Sequence, residues 1–199
     1  MTIYALKSRF QALLRPAVAL LVRAGVRANH VTIFACLVSI AIGLALINAP
    51  HVWFAVVPVW MFLRMALNAI DGMMAREFAQ KSALGGYLNE LTDVLSDAVL
   101  YLPFAYVPPF DWRSVGAVIF LSTLTEMTGV VSVMIGASRR YDGPMGKSDR
   151  AFVFSLLAIV VAVTRVTLPP YTNVVMWAIA VLAAITVVNR IRNGLGEVK

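Results

Sequence analysis

The sequence predicts an all-α fold: a polytopic membrane protein with six transmembrane helices and an N-terminal interfacial amphipathic helix. Three observations carry this expectation. Hydrophobic residues fill 60% of the 199 positions, mean hydropathy is +0.82 and charged residues are only 14%. That balance suits lipid-facing helices and not a soluble core. The apolar runs are long enough to span a bilayer, and short polar or proline-bearing linkers separate them. The basic residues collect in alternate linkers, as spanning helices require. The length is that of one domain. The single cysteine, Cys36, excludes an intramolecular disulfide.

Residues 2–25 read as a helix lying on the membrane. Leu6, Phe10, Leu13, Ala17 and Leu20 recur at steps of three or four, with Lys7, Arg9, Arg15 and Arg23 among them. Pro16 is expected to kink or split this helix. Its scattered basic residues do not suit a cleavable secretion signal. Six spans follow, over 31–48, 51–76, 83–106, 112–138, 149–166 and 171–188. Asn29 is the expected N-cap of the first, and Pro108-Pro109 and Pro169-Pro170 stop the third and fifth. The chain thus divides into a juxtamembrane helix (1–28), a six-helix domain (29–193) and a cytoplasmic tail (194–199). No internal repeat is visible.

Charge orients the spans. Lys7, Arg9, Arg15, Arg23 and Arg27 precede the first; Arg76 and Lys81 lie between the second and third. Arg139, Arg140, Lys147 and Arg150 lie between the fourth and fifth, and Arg190, Arg192 and Lys199 follow the sixth. These are fourteen of the seventeen basic residues; Arg113 and Arg165 fall on the other side, and Arg64 lies within the second span. Both termini are therefore expected in the cytoplasm, in what reads as a bacterial inner membrane. The net charge of +7 attracts anionic membrane lipids, and nothing beyond charge points to nucleic acid.

One stretch breaks the apolar pattern: NAIDGMMAREFAQKSALGGYLNELTDVLSD, residues 68–97. Ionisable groups at membrane depth are costly and need a partner or a purpose. Asn68, Asp71 and Ala75 share one helical face, and Asn89, Asp93 and Asp97 share another. Two helices joined by a short turn would aim these oxygens at a common point. Oxygen-only ligands suit hard divalent cations, Mg2+ or Mn2+. Such ions neutralise charge when a hydroxyl displaces a group at a diphosphate. Gly72, Ala75 and Gly85 leave room for a nucleotide near the backbone, and Arg76 can fork onto phosphate. Read singly, the asparagines are also ordinary interhelical hydrogen bonders.

The spacing N-x2-D-G-x2-A-R-x8-G-x3-N-x3-D resembles the signature of the CDP-alcohol phosphotransferase (CDP-alcohol phosphatidyltransferase) family, D-x2-D-G-x2-A-R-x8-G-x3-D-x3-D. Asp71, Gly72, Ala75, Arg76, Gly85 and Asp93 match in type and gap. Asn68 and Asn89 stand where the family has aspartates, so the chain resembles a variant subgroup. The segment RANHVT, 27–32, resembles the family's polar lead-in to the first membrane helix. The likeness implies an enzyme of phospholipid biosynthesis. It would bind a CDP-alcohol such as CDP-diacylglycerol at the cytoplasmic interface, with two divalent ions bridging the diphosphate. An acceptor hydroxyl would attack the β-phosphorus, and CMP would leave. It further implies Asp71 as a metal ligand, Asp93 as general base, nucleotide contacts from Gly72, Ala75, Arg76 and Gly85, and a homodimer. Because two of the four matched positions are amides, Asp97 is the nearest carboxylate able to complete the site, as a metal ligand or as the base.

The loop 139–151, RRYDGPMGKSDRA, resembles the family's phosphate-contacting lysine segment. Arg139, Lys147 and Arg150 would hold phosphates of donor or acceptor, or else serve only as positive-inside anchors. Asp149 reads as an N-cap. Arg64 could pair with Asp71 or hold a phosphate, Glu126 could brace another span or face the pocket, and Glu90 lies off the ligand face. A CDP-lipid hydrolase, a non-catalytic CDP-lipid-binding relative and a proton-coupled carrier are the alternatives. CMP release with and without an alcohol separates them. The acceptor itself is open.

Overall fold

The structure, a computed structural model, describes residues 3–164 and 168–198. Thr2, Arg165, Val166 and Lys199, used above for helix limits and charge balance, lie outside the described residues. So do the side chains of Leu6, Lys7 and Arg9. Among the described residues every regular element is helical: α1 (Ile3–Arg23), α2 (Ala28–Leu46), α3 (Val56–Glu77), α4 (Ala83–Tyr101), α5 (Trp112–Met134), α6 (Lys147–Val163) and α7 (Val174–Glu197). Short 3-10 turns lead into α3 and α7 and follow α4.

Among the described residues four stretches are long and apolar enough to cross a membrane: Ala28–Leu46, His51–Glu77, Trp112–Met134 and Pro170–Glu197. The chain is an integral membrane protein. The other two expected spans, α4 and α6, stand apart for a physical reason. α4 carries Glu90, Asp93 and Asp97, and α6 has only 17 residues, with three ionisable groups in its first turn.

Several boundaries depart from expectation. α2 is capped by extended Arg27, not Asn29. The Arg27 N–H donates to His30 Nδ1 (3.3 Å), and the Ala28 N–H donates to Gln80 Oε1 (2.8 Å). α6 starts at Lys147 with Gly146 as its cap, and Asp149 reaches back from the first turn to accept the Gly146 N–H at 2.9 Å. α7 runs through Glu197, so most of 194–199 is helix and not a free tail. Glu197 accepts from the Ser138 N–H (2.9 Å) and Oγ (2.7 Å) and from Arg140 Nη1 (2.8 Å). α1 continues unbroken through Pro16. It buries Val18, with Leu14 and Leu21 partly buried, against Val31, Ile70, Met73 and Met74, while Leu13 and Leu20 point outward. Its apolar arc is therefore wider than the stripe read from the sequence.

The main core lies where α2–α7 meet. Tyr101 stacks on Phe154 with ring centroids 3.8 Å apart, Phe104 meets Phe154 edge-on at 5.1 Å, and Phe54 meets Phe104 at 5.2 Å. Where α2 crosses α4, Gly43 packs so closely that a Cβ there would strike the Val99 carbonyl oxygen. This packing leaves the starts of α2, α4 and α6 and the ends of α3, α5 and α7 at one end of the bundle, linked by polar contacts.

Candidate active site

The turn between α3 and α4 ends at Ser82, whose Oγ accepts the Gly85 N–H at 2.9 Å and starts α4. The two helices then face each other through their polar stripes. Asn68 Nδ2 donates to Asp93 Oδ1 at 3.1 Å. Arg64 donates to Asp93 Oδ1 (3.2 Å), to the Asp93 carbonyl oxygen (3.0 Å) and to Asp97 Oδ1. Arg64 therefore pairs with Asp93 and Asp97 and not with Asp71. Asp71 turns instead toward α2, where Thr32 Oγ1 donates to its Oδ2 at 2.7 Å. The Lys147 ammonium, at the start of α6, sits on Asp93 Oδ2.

Two cavities open at this end. One, about 460 Å³, is lined by Asp71, Gly72, Ala75, Arg76 and Gly85, with Thr32 and Gln80 on its walls. All four expected nucleotide-contacting residues are thus on one surface. A Cβ at Gly72 would crowd the Arg76 guanidinium (3.1 Å), and one at Gly85 would crowd Asn29 Oδ1 (2.8 Å). The other cavity, about 300 Å³, is lined by Asn68, Asp93, Arg139, Lys147, Glu126 and Arg190 among others. Asn89 lines both, with Asp71 on the larger cavity and Asp93 on the smaller.

Three expected site residues lie elsewhere. Arg150 is fully buried: it donates to Thr125 Oγ1 (2.9 Å), the Met145 carbonyl (3.1 Å), Glu126 Oε1 (3.0 Å) and Asp97 Oδ2 (3.3 Å). Both oxygens of Asp97 are taken by Arg64 and Arg150, and neither Arg64, Asp97 nor Arg150 lines the two cavities. The reason is electrostatic. Buried arginines on α3 and α6 gather the nearest carboxylates instead of facing a ligand. Glu126 does both jobs left open by the sequence. It lines the smaller cavity and sits beside Arg150, with Arg139 and Arg190 each at 3.7 Å. Glu90, off the ligand face, pairs with Arg139. In the loop above, partial burial raises the Asp142 carboxyl, but hydrogen bonds from Asn193 (2.6 Å) and Arg140 (2.9 Å) hold it below the usual range.

Sequence reasoning passed over Thr32, Gln80 and Arg190. Arg190 counted only toward topology, yet it is buried and donates to the Thr125, Tyr141 and Asp142 carbonyls. Its place in the last apolar turns of α7 was the available signal. Thr32, inside a polar lead-in, carried a weaker one.

The profile of the family described as CDP-alcohol phosphatidyltransferase matches residues 26–187, which hold both cavities except for Arg190. The chain belongs to the CDP-alcohol phosphatidyltransferase family. Membership makes it a transferase. Among CDP-alcohol phosphatidyltransferase relatives and other similar proteins, "Inner membrane protein YnbA" of Escherichia coli (strain K12) is 43% identical over 199 residues, 98% of this chain and 97% of that one. Phosphatidylinositol phosphate synthase of Mycobacteroides abscessus is 26% identical over 189 residues, 92% of this chain and 84% of that one. The Mycobacterium tuberculosis phosphatidylinositol phosphate synthase (PgsA1), solved with CDP-DAG bound, shares the fold with a TM-score of 0.74 and 24% identity. The match covers 90% of this chain and 92% of that one. The same protein in complex with manganese and citrate matches with a TM-score of 0.74, 24% identity, and 90% and 88% coverage.

Proposed function

We propose that this CDP-alcohol phosphatidyltransferase moves the phosphatidyl group of CDP-diacylglycerol to the hydroxyl of a phosphorylated alcohol, releasing CMP. The observation that carries the reading is the pair of cavities meeting at Asn89, one with Asp71 and the nucleotide-type surface, the other walled by Arg139, Lys147 and Arg190 around Asp93. The CDP diphosphate lies against Asp71, Gly72 and Arg76. The acceptor phosphate is held by Arg139 and Lys147 at the start of α6. Asp93 takes the proton of the acceptor hydroxyl, whose oxygen bonds to the β-phosphorus as the bridge to the α-phosphate breaks and CMP departs. Asp97 positions Arg64, which holds Asp93 at its side chain and its carbonyl.

Asp71 and the Asn89 amide give the larger cavity oxygen donors, Asp93 and the Asn68 amide stand on the smaller one, and among the described residues neither His nor Cys lines either. This fits a hard divalent cation, Mg2+ or Mn2+, which when bound neutralises charge on the diphosphate. The relatives named phosphatidylinositol phosphate synthase, one solved with CDP-DAG and with manganese, support the donor, the cation and a phosphorylated acceptor. We read α2–α7 as six spans in a bacterial inner membrane, α1 as lying at the interface, the site and both termini as cytoplasmic, and the protein as a homodimer in contact with membrane lipids. The basic-residue distribution and the E. coli relative's name support this placement. CMP release measured with a panel of alcohols tests the reading. Phosphorylated alcohols should give turnover; preference for water or for unphosphorylated alcohols would contradict it.

A further inference from the structure

We propose that this chain carries one divalent cation, at Asp71, and that Asn68, Lys147 and Arg64 take the place of a second. The inference rests on the metal-dependent reaction proposed above and deepens it. The two adjoining cavities differ in what already pairs with their carboxylates. On the Asp71 side the partner is a hydroxyl, Thr32 Oγ1 at 2.7 Å, and among the described residues no cationic side chain pairs with Asp71. Asp71 lines the 460 Å³ cavity, where phosphate oxygens and water can complete the coordination. Magnesium is commonly held this way, by one or two carboxylates together with substrate phosphate.

On the Asp93 side both carboxylate oxygens are engaged. Oδ1 accepts from Asn68 Nδ2 (3.1 Å) and Arg64 Nη2 (3.2 Å), and Oδ2 carries the Lys147 ammonium. Two full positive charges and an amide N–H therefore serve one carboxylate. The substitution at 68 explains the arrangement. Two carboxylates at this separation repel, and a cation between them would relieve the repulsion. An asparagine needs no such cation, because its amide donates directly. A divalent ion on Asp93 would have to expel Lys147 and sit beside the buried Arg64 guanidinium.

The test is a count of bound ions, read without turnover. Purified full-length protein is titrated with Mn2+ and free Mn2+ is followed by electron paramagnetic resonance. One Mn2+ per chain is expected, falling to none in Asp71→Asn. Asn68→Asp combined with Lys147→Ala is expected to take up two, with dipolar broadening of the bound signal. If that double variant does not fold, Asn89→Asp with Lys147→Ala is the second route to the same count. Two ions in the unaltered protein overturn this inference while leaving the proposed reaction intact. No ion, even with CDP-diacylglycerol present, overturns both. A count that stays at one in the acid variants overturns the replacement roles of Asn68 and Lys147.

Discussion

Asn68 on α3 donates its amide N–H to the carboxylate of Asp93 on α4 at 3.1 Å. This bond joins the two helices that carry the motif and sets Asp93 on the wall of the smaller cavity, which adjoins the one lined by Asp71. The same carboxylate meets Lys147 from α6, so the motif and the basic loop converge on one atom group.

Lys147 is expected to act on the acceptor. Losing one charge-assisted contact costs about 1.5–3 kcal/mol, so Lys147→Ala should raise KM for the phosphorylated alcohol by roughly 10- to 100-fold. KM for CDP-diacylglycerol should hold, and Lys147→Arg should recover part of the loss. Steady-state kinetics with each substrate varied in turn checks this. An unchanged acceptor KM leaves Lys147 only an anchoring role.

Arg150 and Asp97 are expected to act on stability. Arg150→Ala would leave Asp97 and Glu126 buried without their shared partner, at a cost of about 3–5 kcal/mol. The thermal midpoint in detergent should fall by roughly 10 °C. Asp97→Asn should also lower the midpoint but leave the metal concentration for half-maximal activity unchanged. A normal midpoint with a raised metal requirement would restore Asp97 as a ligand.

Gly43 tests the packing that holds α2 against α4. A methyl group there meets the Val99 carbonyl, which is backbone and cannot swing aside. Gly43→Ala should destabilise the fold by about 1–3 kcal/mol. A thermal melt matching the unaltered protein would contradict this crossing.

Much of the site was legible in the sequence because its information is local. Spacing alone placed Asn68 and Asp71 on one face of α3 and Asn89 and Asp93 on one face of α4, and the short turn between them forced the faces together. The fate of Arg64, Asp97 and Arg150 was not legible, because helical period names a face but not the neighbour across it. Only the packing of α4, α5 and α6 decides that Arg150 reaches Asp97 and Glu126 and not a phosphate. The same limit hid Arg190, whose partners lie about 50 to 65 residues away along the chain. Helix ends moved for a related reason: α7 is prolonged by Glu197 binding Ser138 and Arg140, contacts that no local signal announces.

The proposed cytoplasmic orientation rests on the distribution of basic residues. A reporter fused after α7 should be active only as a cytoplasmic fusion. Activity restricted to a periplasmic reporter would reverse the site's placement.

The most direct measurement is CMP release from CDP-diacylglycerol by the purified protein, with and without phosphorylated alcohols, for the unaltered chain and Asp93→Asn. The account expects release that needs both the alcohol and Mg2+ or Mn2+. The rate should fall by about 10²- to 10⁴-fold in Asp93→Asn while the donor still binds. Release that needs no alcohol, or that survives Asp93→Asn undiminished, would contradict it.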